Sequence, residues 1–255
     1  MSIPIKSERE IQKMRIACRA ASLVLEQVSN LIRPGISTGE VDHAASEFMA
    51  EHGCKSAFLG YRGFPGHVCI SLNEEVVHGI GSSRKIQYGD IVKLDIGVVK
   101  DGWVGDTATT LPVGVVDEKT QRLLAITEST LELAITYAEN GRRLGDMCAA
   151  IEDEVVANGY TVVREFVGHG VGRKLHEEPQ VPNYGRRGSG PKLKPGMTIA
   201  IEPMVNLGGA GVRVLSDNWT VVTLDAKPSA HFEHTVLITN GEPEILTWRK
   251  RSSAQ

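Results

Sequence analysis

Residues 90–111, Asp90-Ile-Val-Lys-Leu-Asp95-Ile-Gly-Val-Val-Lys-Asp101-Gly102-Trp-Val-Gly-Asp106-Thr-Ala-Thr-Thr-Leu111, constrain this chain more than any other stretch. Two runs rich in β-branched residues flank Asp101-Gly102, the dipeptide that most strongly signals a two-residue hairpin turn. With those residues at the turn, cross-strand partners have numbers that sum to 203, so Asp95 faces Ala108 and Asp106 faces Gly97. Side chains alternate with period two, which puts positions 95, 97, 106 and 108 on one face. Asp95 and Asp106 are then diagonal neighbours, roughly 7–8 Å apart at Cα. An apolar hairpin gains nothing from two like charges, which repel and lose hydration when unpaired. A cation between them removes both penalties. Two solvated aspartates on an exposed face remain the plainer arrangement unless further ligands come from elsewhere in the chain.

The size of 255 residues suits one large domain or two small ones, and 41% apolar with 23% charged residues is an ordinary globular make-up. A net charge of −3 offers no electrostatic footprint for nucleic acid or another polyanion. The opening Met1-Ser-Ile-Pro-Ile-Lys6 has no apolar signal core, and no run approaches about 18 apolar residues, so neither a secretory leader nor a membrane span is expected. Cys18, Cys54, Cys69 and Cys148 lie far apart without CxxC pairs. That argues against a zinc ribbon and fits reduced thiols in a cytoplasmic compartment.

Along the chain, Ser7-Glu-Arg-Glu10 reads as a capping box, followed by helical spacing of Ile11, Met14, Ala17, Ala21, Val24, Val28 and Leu31 up to Arg33-Pro34-Gly35. A second helix is expected from Ser37 or Thr38 to His52-Gly53, then short strands at 57–59, 67–71 and 76–80. After the hairpin come a long helix over 118–139 and a shorter one over 145–158. Strands follow at 161–167, 197–201, 212–215, 220–224 and 232–238, with 183–191 as a mobile surface loop and 249–255 as a frayed tail. A shift of 106 residues carries Gly35, Gly39, Ala44 and Gly53 onto Gly141, Gly145, Ala150 and Gly159, and Glu40 and Glu47 onto Asp146 and Asp153. Glycine matches are cheap at helix ends, but the order of elements repeats as well. The expected fold class is therefore α/β (α+β), built from duplicated helix–helix–strand halves around one mainly antiparallel sheet with helices on one side.

The second half supplies partners for the two aspartates. Gly168-His169-Gly170-Val-Gly172 sets a histidine among glycines, where a ligand can approach closely, and His176 follows in Leu175-His-Glu-Glu-Pro-Gln. Met197-Thr-Ile-Ala-Ile-Glu202-Pro203 ends a buried strand with a carboxylate, and His231-Phe-Glu233 places another at the start of an apolar strand. Taken singly, the histidine reads as structural and the glutamates as solvated. Taken together, four carboxylates and one imidazole suit hard to borderline divalent ions and balance the charge of two.

In the contexts LDIG, GDTA, GHGVG, IEPM and FEHT, Asp95, Asp106, His169, Glu202 and Glu233 resemble the metal ligands of type I methionine aminopeptidases, over nearly the whole chain. The resemblance implies the pita-bread fold, with 1–255 as a single catalytic domain of an N-half (about 1–112) and a C-half (about 113–248). It implies a metallo-aminopeptidase with two divalent ions (Co, Mn, Fe, Zn or Ni) holding a bridging hydroxide. Its expected action is removal of the initiator methionine from nascent chains and peptides with a small second residue. A cytoplasmic monomer acting on nascent N-termini at the ribosome is expected, without nucleic-acid specificity or membrane attachment. By the same resemblance Asp95 holds one metal, Asp106 and Glu233 bridge, and His169 and Glu202 complete the second, Glu202 doubling as proton shuttle. His78 would contact the scissile nitrogen side and His176 the scissile carbonyl. Phe58, Tyr61, Phe64, Cys69, His78 and Trp219 would line the methionine pocket, although Tyr61 and Phe64 alone read as core. Leu175 stands where related enzymes often carry an aromatic, and Phe58 where a smaller residue is common. Prolidase and aminopeptidase P share the five ligands but need an extra N-terminal domain, for which 255 residues leave no room. A non-catalytic binding protein of this fold would be expected to have lost ligands.

Overall fold

Asp101 and Gly102 both have positive φ, 51° and 75°, the turn geometry whose twist matches that of the flanking strands. The computed structural model describes residues 2–247; Met1, the tail at 249–255 and residue 248 lie outside the described residues. The first half runs α1 (Glu8–Leu31), α2 (Thr38–Glu51), β1 (Lys55–Ser56), β2 (Cys69–Leu72), β3 (Glu75–Val77), β4 (Ile91–Lys100) and β5 (Trp103–Pro112). The second runs α3 (Glu118–Thr136), α4 (Leu144–Ala157), β6 (Thr161–Val162), β7 (Gly168–Gly170), β8 (Glu177–Val181), β9 (Thr198–Ile201), β10 (Met204–Asn206), β11 (Val212–Val214), β12 (Val221–Thr223), β13 (Ser229–His231), β14 (Glu233–Leu237) and β15 (Glu244–Ile245).

The hairpin register is the expected one, from Ile91 opposite Pro112 to Lys100 opposite Trp103, with Asp95 against Ala108 and Gly97 against Asp106. The main sheet has nine strands in the order β1-β4-β5-β14-β9-β7-β8, with β2 also on β4 and β15 on β14. Its pairings are antiparallel. The expectation of one sheet needs correction, because two three-stranded sheets, β13-β10-β6 and β11-β12-β3, stand apart from it.

Period two sorts every central strand into a helix-covered back and a front. Leu94, Ile96 and Val98 of β4 join Ala21, Val24 and Leu25 of α1 and Val41 of α2 in one apolar cluster. Ile199 and Ile201 of β9 and Val236 of β14 join Leu123 and Leu131 of α3 and Met147 and Ile151 of α4 in another. Asp95, Asp106, Glu202 and Glu233 occupy the alternate positions and so point to the front. α1 docks so tightly that a Cβ at Gly105 would overlap the carbonyl of Ala17.

The repeat is visible in hydrogen bonds as well as in element order. Gly35 N–H donates to Ile86 O (2.8 Å) and Gly141 N–H to Leu193 O (2.9 Å). Gly39 N–H donates to Ser82 O (2.7 Å) and Gly145 N–H to Ser189 O (3.1 Å). Ser37 bridges to Lys85 as Arg143 does to Lys192. The 183–191 loop expected to be mobile is thus tied to the start of α4, as the loop at Ser82 is tied to the start of α2. Gly188 N–H adds a bond to Asp146 Oδ1 (2.6 Å).

Several expected strands are shorter than their composition promised, that at 76–80 ending at Val77, and 57–59 forms none. The Ser56 hydroxyl accepts the N–H groups of both Phe58 and Leu59 (3.0 Å each), curling 57–59 into a turn. The strand at 161–167 stops at Val162, beyond which Arg164 turns outward to pair with Glu152 (2.7 Å). Leu31 is half-buried, whereas the other expected apolar positions of α1 are buried. Cys18, Cys54, Cys69 and Cys148 are free and buried, and no helix among the described residues is long and apolar enough to cross a membrane.

Replacing Gly105 by alanine forces the added methyl against helix backbone, which has no rotamer to yield. Gly105→Ala is expected to lose about 1–3 kcal/mol of stability, read as a lower urea midpoint at unchanged slope.

Candidate metal centre

Asp95, Asp106 and Glu233 come from three adjacent strands, β4, β5 and β14. Ala108 of β5 lies between Asp95 and Glu233 in register, and its small side chain leaves the acids room to converge. One carboxylate oxygen from each of the three lies within 4.8 Å of the others. Glu202 follows β9 directly, next to the pairing of Ile201 with His234, and so stands beside Glu233. His169 lies on β7 at a bulge against β8. Its Nδ1 is 3.0 Å from the carbonyl oxygen of Gly170, which makes Nδ1 the N–H and leaves Nε2 with its lone pair. That Nε2 is 3.7 Å from Asp106 Oδ2 and 3.6 Å from Glu202 Oε1.

The electrostatics of this cluster are unfavourable as they stand. Burial is the first cause in pushing all four carboxyls above their ordinary range; Asp95, Asp106 and Glu233 are raised further by neighbouring carboxylates. Burial, followed by His176, pushes His169 down to about 3, so the imidazole is neutral and gives no ion pair. Lys93 lies on the same strand face as Asp95 and is fully buried, but its ammonium donates to the carbonyls of Asn73 (2.7 Å) and Ser229 (2.8 Å). It is not the acids' counter-ion. Asp95 Oδ1, Asp106 Oδ1 and Glu233 Oε1 are buried without a hydrogen-bond partner. Orphaned buried carboxylate oxygens are costly, and the acids that carry them converge on one another, with the His169 lone pair beside Asp106. This donor set fits hard to borderline divalent cations.

A model of metallopeptidase family M24 matches residues 12–240. The chain belongs to that family. Methionine aminopeptidase 1 of Bacillus subtilis is 49% identical over 95% of this chain and 98% of its own length. Methionine aminopeptidase of Escherichia coli K12 is 47% identical, over 98% of this chain and 96% of its own. Among solved structures, methionine aminopeptidase from Thermotoga maritima superposes with a TM-score of 0.95 at 46% identity, covering 97% of this chain and 100% of that one. Prolidase from Pyrococcus furiosus superposes at 0.80 with 25% identity, covering 97% of this chain and 66% of the prolidase. The fold is the pita-bread fold, and the family's metallopeptidase chemistry implies divalent metal ions.

The remaining expected residues surround the same cluster of this M24 chain. Phe58, Tyr61, Phe64, Cys69, His78, His176 and Trp219 line one cleft of about 280 Å³ together with Asp95, Asp106, His169, Glu202 and Glu233. Phe64 meets Phe58 and Trp219 edge to face, with ring centroids 6.5 and 5.1 Å away. The Phe58 ring lies against Gly97, where any Cβ would overlap it. His78 leaves β3 with φ 61°, which turns its ring edge-on to Phe166 (5.4 Å) and Trp219 (6.2 Å). His176 stacks on Tyr61 (5.3 Å, 21° between planes) and lies 4.0 Å from the His169 ring. Leu175 is buried beside Phe58 and Phe64 in one apolar cluster.

Sequence reasoning missed His231, Arg62 and Phe166. His231 is buried with Nε2 unpartnered by any hydrogen bond and 3.5 Å from Glu202 Oε2. The available signal was its spacing of two from Glu233. Arg62 lines the cleft with its backbone at φ 50° inside a 3-10 turn, Tyr61–Gly63. Phe166, beside His78, belonged to a stretch read as plain strand.

Metal-stripped protein is expected to stay folded by circular dichroism, because both apolar clusters are independent of the acids. Mn²⁺ or Co²⁺ at a hundredfold excess over Kd should then add about 2.7 kcal/mol. Asp106→Asn should lose most of that gain while leaving the metal-free Tm unchanged or higher, since it removes one of the crowded charges.

Proposed function

We propose that this chain is a metal-dependent methionine aminopeptidase that removes the N-terminal methionine from proteins and peptides with a small second residue. The observation that carries the reading is a single cleft lined at once by Asp95, Asp106, His169, Glu202 and Glu233, by the aromatic rings and the Cys69 thiol, and by the imidazoles of His78 and His176. Relatives named methionine aminopeptidase, matching almost end to end at 47–49% identity, support the same activity.

In this reading Asp95, Asp106, His169, Glu202 and Glu233 would hold two divalent ions, with Co, Mn, Fe, Zn and Ni as the candidates. When bound, they supply Lewis acidity toward the peptide terminus and lower the pKa of water. The chain's own residues do the rest. Phe58, Phe64, Cys69 and Trp219 form a soft, polarisable wall suited to a thioether, and Tyr61 extends it while holding His176 by stacking. Burial, followed by the charges of His231 and His176, lowers His78 to about 4, so near neutral pH it is a neutral imidazole with one N–H to donate. We assign this imidazole to the amide nitrogen side of the scissile bond, where its lone pair can accept the amide N–H. His176 faces the reacting carbonyl and stabilises charge developing on its oxygen. Glu202, the carboxylate with imidazoles on both sides, carries the proton to the departing amine. One catalytic domain formed by halves at about 1–112 and 113–248 is the corresponding organisation. Action as a monomer on nascent chains emerging in the cytoplasm completes the proposal.

The deciding assay compares a Met-Ala-Ser peptide with an Xaa-Pro peptide, with and without chelator. Release of methionine from the first, abolished by chelation and restored by metal, is expected; preferential cleavage of Xaa-Pro would assign the prolidase activity instead. His78→Ala and His176→Ala should each lower kcat by about 10²–10³ while binding metal normally. Metal content falling in step with activity would make them ligands.

A further inference from the structure

Lys6 and Glu177 take no part in the mechanism above, yet they form the most buried lysine or arginine ion pair among the described residues. Their side chains are 4% and 11% exposed, and Lys6 Nζ donates to Glu177 Oε2 at 2.8 Å. Lys6 lies in the segment before α1 and is anchored on the second half, where its N–H donates to Gly196 O (2.8 Å). Glu177 directly follows His176. Its other oxygen, Oε1, accepts the N–H groups of Arg173 (2.9 Å) and Lys174 (3.3 Å). The carboxylate therefore fills the loop that leads from His169 to His176. Gly172 makes room for it, since a Cβ there would press on Oε1. The same glycine's carbonyl accepts from Val104 N–H (2.8 Å), fastening the loop to β5, the strand of Asp106. Glu177 also pairs in register with Gly170, the neighbour of His169.

We propose that Lys6 and Glu177 are positioning residues for His176, their ion pair setting the loop that holds the imidazole over the scissile carbonyl. Without the ammonium, a buried carboxylate is left with backbone donors alone and moves toward water. The residue before it moves too. This places the segment preceding α1 within the active-site scaffold. The inference rests on the role given to His176 in the aminopeptidase reading, so its test must separate the two.

The experiment is a double-mutant cycle with Lys6→Met, Lys6→Arg, Glu177→Gln and His176→Ala, following Met-Ala-Ser cleavage, Mn²⁺ binding by calorimetry, and thermal unfolding. Lys6→Met should lower kcat by about 10–10²-fold, with KM and Mn²⁺ affinity changed by less than about threefold. Lys6→Arg should recover most of the loss. Glu177→Gln, which keeps the acceptor for the loop N–H groups, should repeat the kcat defect in a protein that folds even if Lys6→Met does not. In the His176→Ala background neither Lys6→Met nor Glu177→Gln should lower kcat further. An undiminished additional loss there, an unchanged kcat in the single variants, or a loss explained by metal release would overturn the positioning role. Wild-type protein inert toward Met-Ala-Ser would instead overturn the aminopeptidase reading, and the pair's role with it.

Discussion

Holding several carboxylates together out of water is the constraint on which the rest of this molecule depends. Each of the four acids is pushed toward its neutral form by burial, and Asp95, Asp106 and Glu233 additionally by neighbouring carboxylates. Lys93, the cation on the same strand face, is engaged by backbone carbonyls instead. Such a cluster persists only if a rigid frame prevents the acids from separating, and a bound cation would relieve its crowding. Two apolar clusters, one under each half of the sheet, supply that frame. Function and the local loss of stability thus arise from the same crowding.

Regular and irregular backbone divide the work. Asp95, Asp106 and Glu233 sit on strands, where period two and antiparallel register set position with little freedom. The imidazoles come from departures from regularity. His78 has a positive φ, His169 sits at a bulge, and His176 ends a loop filled by the Glu177 carboxylate. Strands place a cluster that must not move, whereas bulges and kinks aim single side chains where no strand direction would send them. Glycine and alanine at Gly97 and Ala108 leave the gaps into which larger neighbours fit.

Duplication explains how the site spans the chain. The paired helix–helix–loop units repeat not only in sequence but in individual hydrogen bonds, Gly35 to Ile86 matching Gly141 to Leu193. Each half buries its own helices against the back of the sheet and turns acids to the front. The pairing of β5 with β14 joins the halves and completes the cluster. Lys6 crosses in the opposite direction, from the start of the chain to a loop of the second half.

Much of this was legible in the order of residues because the interactions involved are local. Asp101-Gly102 specifies a turn by its own φ preferences, and the turn specifies register, so the diagonal placement of Asp95 and Asp106 followed from counting. The capping box at Ser7 and the terminal glycines likewise bounded α1 and α2. The family motifs carried His169, Glu202 and Glu233 to the same site. Tertiary structure alone decided the rest. The burial of His231 against Glu202, the Lys6–Glu177 pair, and the splitting of three strands into a separate sheet with β12 at its centre all join residues distant in the chain. The Ser56 hydroxyl, by contrast, overrode the strand propensity of 57–59 within a few residues. Hydrophobic periodicity reports which face of an element is buried; it holds no information on which distant polar atom meets another there, because that depends on how whole elements pack.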